Sequence, residues 1–352
     1  MSLPNPSAIV DRLRDFQKSC RDALIASRKV SDLHEVDRTA AADTIYRIDA
    51  IIEPLLDAFC EDWGRTTPLV LIAEGVQDEE GREGARVFPA GSRQKDALIR
   101  VLIDPIDGTR GIMYDKRSAW ALAAVAPNRG VGTRLRDVEV AVMSELPTSK
   151  MGRADVLWAV KGAGARGVRV DLRAGADLRS GADHIAAEEP LLLRPSQAPT
   201  LHHGFASIAN FFPGTKMLSS GMMEKIAAEL LGPADVHNAS LFEDQYISTG
   251  GQFYELIVGH DRFTADLRPV FYALQSQPQG LCCHPYDCAA LLIAEEAGVI
   301  VTDEHGQPLD APMDTTSGVS WAAYANAALR DAIEPVLRRS LVPSGRGKAP
   351  SA

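Results

Sequence analysis

Asp104 and Asp107 close the stretch Ala97–Gly111, ALIRVLIDPIDGTRG, in which an apolar run ends on two carboxylates three residues apart. Pro105 fixes its own φ and disfavours helix at Asp104, so the two acids fall at the end of a strand and can turn onto one face. Gly108 and Thr109 then open a turn or helix whose first N–H groups lack internal partners and suit an anion. Carboxylates for a hard cation beside amides for phosphate is the layout that Mg2+-assisted phosphoryl chemistry needs. Taken alone, the hexapeptide DPIDGT fits a surface turn equally well, because Asp, Pro and Gly punctuate chains where strands stop.

The elements around it are strongly patterned. Residues 8–29 and about 42–59 carry apolar side chains at helical spacing. PLVLIAEG, ALIRVLID, AWALAAVAP, VEVAVMSEL and DVLWAVKGAGARG form a series of strand candidates separated by turn residues. After the Ala/Gly/Asp-rich connection 171–190, helices are expected in SGMMEKIAAELLG, LFEDQYISTGGQFYELIVG and DCAALLIAEEAG. A strand–turn–strand in VIVTDEHGQPL follows. No internal repeat is present, and strict βαβ alternation is absent, so a layered α/β or α+β fold is expected.

The bulk composition narrows the classes. The 352 residues are 45% hydrophobic and 24% charged with a net charge of −10, which is ordinary globular composition and argues against a nucleic-acid partner, which would need a basic stripe. No apolar run approaches the ~18 residues of a membrane span. The N-terminal stretch lacks the pattern of a secretory signal, and the five cysteines make no even framework, so the expected compartment is cytoplasmic. An acidic protein that handles an anionic substrate needs local positive charge, and bound divalent cations supply it.

An Asp-x-Asp-Gly-Thr phosphatase of the haloacid-dehalogenase type fits poorly, because the spacing here is one residue longer and lies about a hundred residues into the chain. DPIDGT instead resembles the signature of the inositol monophosphatase family, in the superfamily of fructose-1,6-bisphosphatases and 3′-phosphoadenosine phosphatases. Four further segments are similar to that family's: Thr39–Asp43 to its Thr-x-Ala-Asp on a long helix, Leu71–Gly75 to its strand-ending Gly-Glu-Glu, Lys161–Gly167 to its Gly-Lys-Gly-Ala, and His284–Leu309 to its Trp-Asp-x-Ala-Ala and Glu-Ala-Gly-Gly. The resemblance covers roughly residues 10–310. It implies an αβαβα sandwich of the sugar-phosphatase type with mixed sheets.

It also implies a set of roles. Asp104 would bridge two cations, Asp107 and Asp287 would hold the second, and Glu74 and the Ile106 carbonyl the first. Glu74 and Thr109 would orient the attacking water. Asp43 would support Thr109 or a third, loosely held ion. The Gly108 and Thr109 N–H groups would take the phosphate. By position alone, Arg110 directly after Thr109 is a candidate for phosphate or a substrate carboxylate, with a surface salt bridge the alternative. The cofactor implied is Mg2+, two or three per site, with Mn2+ possible. The substrate implied is a small phosphorylated metabolite such as a sugar or polyol monophosphate. Lithium sensitivity and a homodimer are implied as well, and no nucleic-acid polymer or membrane partner. Fructose-1,6-bisphosphatase activity, 3′-phosphoadenosine phosphatase activity and a non-catalytic metabolite binder stay open.

Several positions depart from the family. The second Glu of its pair is Gly75, its Trp is Tyr286, its final Gly is Val299, and the Asp287–Glu296 interval is one residue short. On a helix that deletion turns the face by about 100°. Residues 1–188 are expected to form an N-terminal half with the acidic motifs, 189–340 a C-terminal half with Asp287, and 341–352 a disordered tail. Cys282, Cys283, His284 and Cys288 suggest a soft-metal site but lack a CxxC pair, and buried packing is expected. His202 and His203 are expected to be structural or solvated, and Asp115, Lys116 and Arg117 a solvated charged turn. Glu243 and Asp244 are substrate-facing candidates on a helix.

Overall fold

The computed structural model describes residues 2–28, 36–39, 44–76, 84–173, 188–234 and 237–341. The chain opens with α1 (Pro6–Ser27), the hairpin β1 (Val36–Thr39) and β2 (Thr44–Tyr46), and α2 (Arg47–Thr66). There follow β3 (Leu69–Ala73), β4 (Arg86–Phe88), β5 (Ile99–Asp107), α3 (Thr109–Met113), β6 (Ala119–Pro127), β7 (Val140–Leu146), β8 (Arg153–Val160), β9 (Ala165–Asp171) and β10 (Glu188–Pro190). These strands build an eight-stranded sheet in the order β10-β9-β8-β7-β6-β5-β3-β4, antiparallel except for the β3–β5 pair.

The second half contributes β11 (Gly204–Ile208), α4 (Lys216–Leu231), β12 (Leu241–Phe242), α5 (Thr249–Ile257), β13 (Asp261–Asp266), α6 (Arg268–Leu274), α7 (Leu291–Glu296), β14 (Ile300–Thr302), β15 (Trp321–Tyr324) and α8 (Ala327–Leu341). Its strands form a mixed five-stranded sheet, β12-β11-β13-β15-β14.

Alternation along the central strands explains the layering. In β3, β5 and β6 one parity (Leu69, Leu71, Val101, Ile103, Ala121, Ala123) packs with α1 and α2. The other (Val70, Ile72, Leu102, Leu122, Ala124) packs with the core of α5, α7 and the second sheet. Strands buried on both faces read as continuous apolar runs, which is why they were legible. α5 and α7 touch both sheets, while α4 and α8 cover the outer face of the smaller one. The result is the expected α/β sandwich of five layers, with mixed sheets.

Some boundaries differ from expectation. The helix expected from about residue 42 begins at Arg47, because Thr44, Ile45 and Tyr46 are β-branched or aromatic and pair as β2. Thr39 belongs to β1 rather than to a long helix, and residues 40–43, with Asp43, lie outside the described residues. So do 174–187 of the connection and 342–352 of the tail.

The helix expected over LFEDQYISTGGQFYELIVG occupies only Thr249–Ile257, after the two-residue strand β12. Ser248 stops it from extending backwards: its extended backbone and its Oγ, which accepts the Gly251 N–H, make it an N-cap. Similarly, α7 starts at Leu291. Residues 284–290 wind through successive i→i+3 bonds, from Asp287 N to His284 O through Ala289 N to Tyr286 O. The short Asp287–Glu296 interval is therefore not a rotation of one helix. VIVTDEHGQPL gives β14 and a single bridge, Thr302 to Pro308, in place of a second strand.

Candidate active site

On a regular strand, residues three apart face opposite sides. β5 carries one extra residue between Asp104, which pairs with Leu122, and Asp107, which pairs with Trp120. This bulge falls on Pro105 and Ile106, where proline removes a ladder donor. It restores the parity, so both carboxylates share the face occupied by Trp120 and Leu122. Asp104 Oδ1 accepts the Ile106 N–H at 3.0 Å, and the Thr109 hydroxyl donates to the Ile106 carbonyl at 2.8 Å. Gly108 caps α3 with φ 97°, and a Cβ there would lie 3.0 Å from Ser248 Cβ and 3.1 Å from the Ile247 carbonyl. Both the left-handed backbone and the close approach require glycine.

The second half closes the site from two directions. Asp287 arrives on the 284–290 turns, where its Oδ2 accepts the His284 N–H at 2.6 Å. The N-terminus of α5 meets Asp107: the Ser248 hydroxyl donates to Oδ2 at 2.8 Å, the Gly250 N–H to Oδ2 at 2.5 Å, and the Thr249 N–H to Oδ1 at 3.2 Å. Gly250 has to be glycine for space, since a Cβ would sit 2.6 Å from Leu122 Cδ2 and 3.0 Å from Asp107 Oδ2. Asp104, Asp107 and Asp287 bring carboxylate oxygens within 4.8 Å of one another. Glu74, in the turn after β3, lines the same cleft but stands outside that tight trio, and Ile106, Gly108, Thr109 and Arg110 line it too. Gly75, at the family's second Glu, has φ 70°, a backbone that a glutamate adopts poorly.

Packing the acids together is electrostatically costly. Burial raises Asp104 well above the carboxylate range, and Asp107, Asp287 and Glu74 push it further. Asp287 rises for the same reasons, with the His284 N–H and Arg268 pulling against the rise. Burial lifts Asp107 to about 6 while its three donors from α5 hold it down. A hard divalent cation relieves this repulsion, and an all-oxygen donor set suits Mg2+ or Mn2+ over softer ions. The residues fit such an ion.

Other candidates fall elsewhere. Cys283 and Cys288 place their sulfurs 3.5 Å apart in the core, Cys282 lines the cleft with its thiol pushed up to about 12 by burial, and the metal-type group among the described residues contains no cysteine. The carbonyls of His202 and His203 receive Arg262, away from the cleft lining. Arg117 is not part of a solvated turn. It bridges Asp244 at 2.7 Å and Glu255 at 2.8 Å and lies 3.7 Å from the Tyr246 ring centroid. Asp244 is thereby structural, and Glu243 joins Gln245 in the loop after β12 rather than standing on a helix. The sequence reading missed Ser248, Thr249 and Gly250, whose signal was a Ser-Thr-Gly-Gly start ahead of an apolar helix. It also missed Phe211 and Phe212 on the cleft wall, while Arg268 there belongs to the stretch 259–284 where the resemblance places substrate contacts without naming the residue.

Among the described residues, no helix is long and apolar enough to cross a membrane. No protein-family model and no curated protein matches the sequence. Solved structures do match by shape. A fructose-1,6-bisphosphatase from Leishmania major superposes with TM-score 0.65 at 12% identity, covering 95% of each chain. An inositol monophosphatase–fructose 1,6-bisphosphatase gives 0.61 at 15%, covering 93% of this chain and 98% of the other. An inositol monophosphatase from Thermotoga maritima gives 0.58 at 16%, covering 94% and 98%. The chain has the fold of these proteins over nearly its whole length.

Proposed function

We propose that this chain, built on the fold of the inositol monophosphatases and fructose-1,6-bisphosphatases, is a metal-dependent phosphoric monoester hydrolase acting on a small phosphorylated metabolite. The observation that carries the reading is the meeting of carboxylate oxygens of Asp104, Asp107 and Asp287 within 4.8 Å, the first two residues buried and Asp287 half-buried, beside the turn of Gly108 and Thr109. Asp104, Asp107, Asp287, Glu74 and the Ile106 carbonyl would hold Mg2+ or Mn2+, with Asp43 a further candidate. Such ions activate water and neutralise charge on a transferring phosphoryl group.

The chain's own groups have complementary tasks. The N–H groups of Gly108 and Thr109 would take phosphate oxygens at the turn that opens α3. Thr109 and Glu74 orient the attacking water. The Thr109 hydroxyl donates to the Ile106 carbonyl, which fixes its direction, and a hydroxyl oxygen can accept as well as donate. Asp107 needs no rearrangement to act, since α5 pins both of its oxygens.

Phosphate release from a panel of sugar, polyol and nucleotide phosphates, with and without Mg2+, tests the reading. Mg2+-dependent turnover is expected for one compound class, and Asp107→Asn should reduce it by more than the ~10–100-fold that loss of a supporting residue costs. Folded protein that releases no phosphate and binds neither Mg2+ nor Mn2+ would replace this reading with a non-catalytic binder.

A further inference from the structure

Tyr254 does not line the cleft, yet it shares a face of α5 with Gly250, which meets Asp107. The two are four residues apart, one turn along the helix, so both look onto the large sheet. The Tyr254 ring lies 4.6 Å from that of Trp120 on β6, and Trp120 is the residue paired across the ladder with Asp107. Beyond the ring, the Tyr254 hydroxyl donates to Asp155 Oδ2 on β8 at 2.6 Å.

Asp155 stands among apolar neighbours. It has the parity of Leu157 and Ala159, the face of β8 that belongs to the core shared with α5 and α7, and it is 2% exposed. A carboxylate buried there needs partners. Its cross-strand neighbour Arg169 on β9 supplies two bonds, Nε to Oδ1 at 2.7 Å and a terminal nitrogen to Oδ2 at 2.8 Å. Tyr254 supplies a further donor. Burial, and then the bond to Asp155, push the phenol up, so the hydroxyl keeps the proton that it donates.

The other contacts of α5 constrain it less. Phe253, Leu256 and Ile257 are buried in the same core, and apolar burial is non-directional. Glu255 pairs with Arg117 at 2.8 Å, an arginine 30% exposed. At the N-terminus the tolerance is small. The bonds of 2.5, 2.8 and 3.2 Å to Asp107 are lost if the helix moves by about 1 Å.

Resting on the reading of Asp107 as a metal ligand, we propose that Tyr254 is a positioning residue for the Asp107 carboxylate. The chain Arg169–Asp155–Tyr254 fixes where α5 stands on the large sheet, and so keeps the Ser248, Thr249 and Gly250 donors on Asp107. Control is exerted from β8 and β9, neither of which lines the cleft.

Tyr254→Phe removes one oxygen and leaves Asp155 with Arg169. In the full chain, calorimetric titration should show Mn2+ affinity reduced by about 10-fold, the lower end of what loss of a supporting contact costs. Without metal, hydrogen exchange at the Thr249 and Gly250 amides should quicken by a similar factor. Ser144→Ala, which deletes a buried hydrogen bond to Gln17 on the opposite face of the same sheet, should change neither.

A cycle with Ser248→Ala tells positioning from general stability. Because Tyr254 works through the cap, the double variant should bind Mn2+ little more weakly than Ser248→Ala alone. Additive losses would overturn the proposal, as would a Tyr254→Phe chain with wild-type affinity and unchanged exchange at both amides. A wild-type chain that binds no Mn2+ would sink the metal reading, while the exchange result still decides for or against Tyr254.

Discussion

Gly250 shows how closely a single backbone position can control a carboxylate cluster that could hold a metal ion. Its N–H reaches Asp107 Oδ2 at 2.5 Å only because no side chain intervenes. Gly250→Ala should push α5 away from β5, weaken Mn2+ binding by about 10–100-fold, as loss of a supporting contact does, and leave secondary structure intact. Calorimetric titration with Mn2+ checks it, and unchanged affinity would show that Asp107 needs no help from α5. Glu145 on β7 poses a different question. Burial pushes its carboxyl from 4.5 up to about 7, against the pull of the Ser118 hydroxyl and the Asp155 N–H. The folded chain thus keeps this proton longer than the unfolded one. The group's stabilising contribution is complete below pH 4.5 and is lost as pH rises through about 7. Glu145→Gln stays neutral throughout, so its urea midpoint should fall less over that interval than the wild-type midpoint. Parallel curves would mean that Glu145 ionises freely in the folded protein.

At the scale of elements, α7 ties two distant motifs together. Glu296 near its end accepts the Gly162 N–H at 2.6 Å and the Gly164 N–H at 2.7 Å, clamping the turn between β8 and β9. Glu296→Ala leaves two donors without that acceptor and should cost about 1–2 kcal/mol, discounted for partial exposure. Urea unfolding measures it, and a change under about 0.5 kcal/mol would mean water replaces the carboxylate fully.

The sequence carried the Gly-Ala-Gly and Glu-Glu-Ala-Gly motifs but not their contact, because nothing local links residues 134 positions apart. The same divide runs through the rest of the chain. Doubly buried strands announced themselves as apolar runs, and β5 visibly ended in acids. The bulge that turns Asp107 onto the face of Asp104 left only Pro105 as a trace. The cap of α5 was readable as Ser-Thr-Gly-Gly, yet its target on β5 was not. Arg117 looked solvated beside Asp115 and Lys116, since its partners Asp244 and Glu255 lie more than a hundred residues away.

For the molecule as a whole, the carboxylate trio is a destabilising charge cluster that a bound cation would convert into a stabilising one. A ligand at 100 times its Kd adds about 2.7 kcal/mol to folding stability. Mg2+ or Mn2+ should therefore raise Tm, and a chelator should lower it again. The effect should grow from pH 5 to pH 8, because the ion competes with protons that Asp104 and Asp287 retain well above the usual range. A pH-independent increment would imply that the carboxylates are already ionised without metal. The trio draws on β5 and on turns about 180 residues later, while the α5 cap lies between them in sequence. No short fragment of the chain holds more than part of it. Such a site closes late on the folding path, after long-range loops have been drawn together. An ion held there would act as a latch rather than a seed: it would leave the rate of folding untouched and slow the escape from the native state.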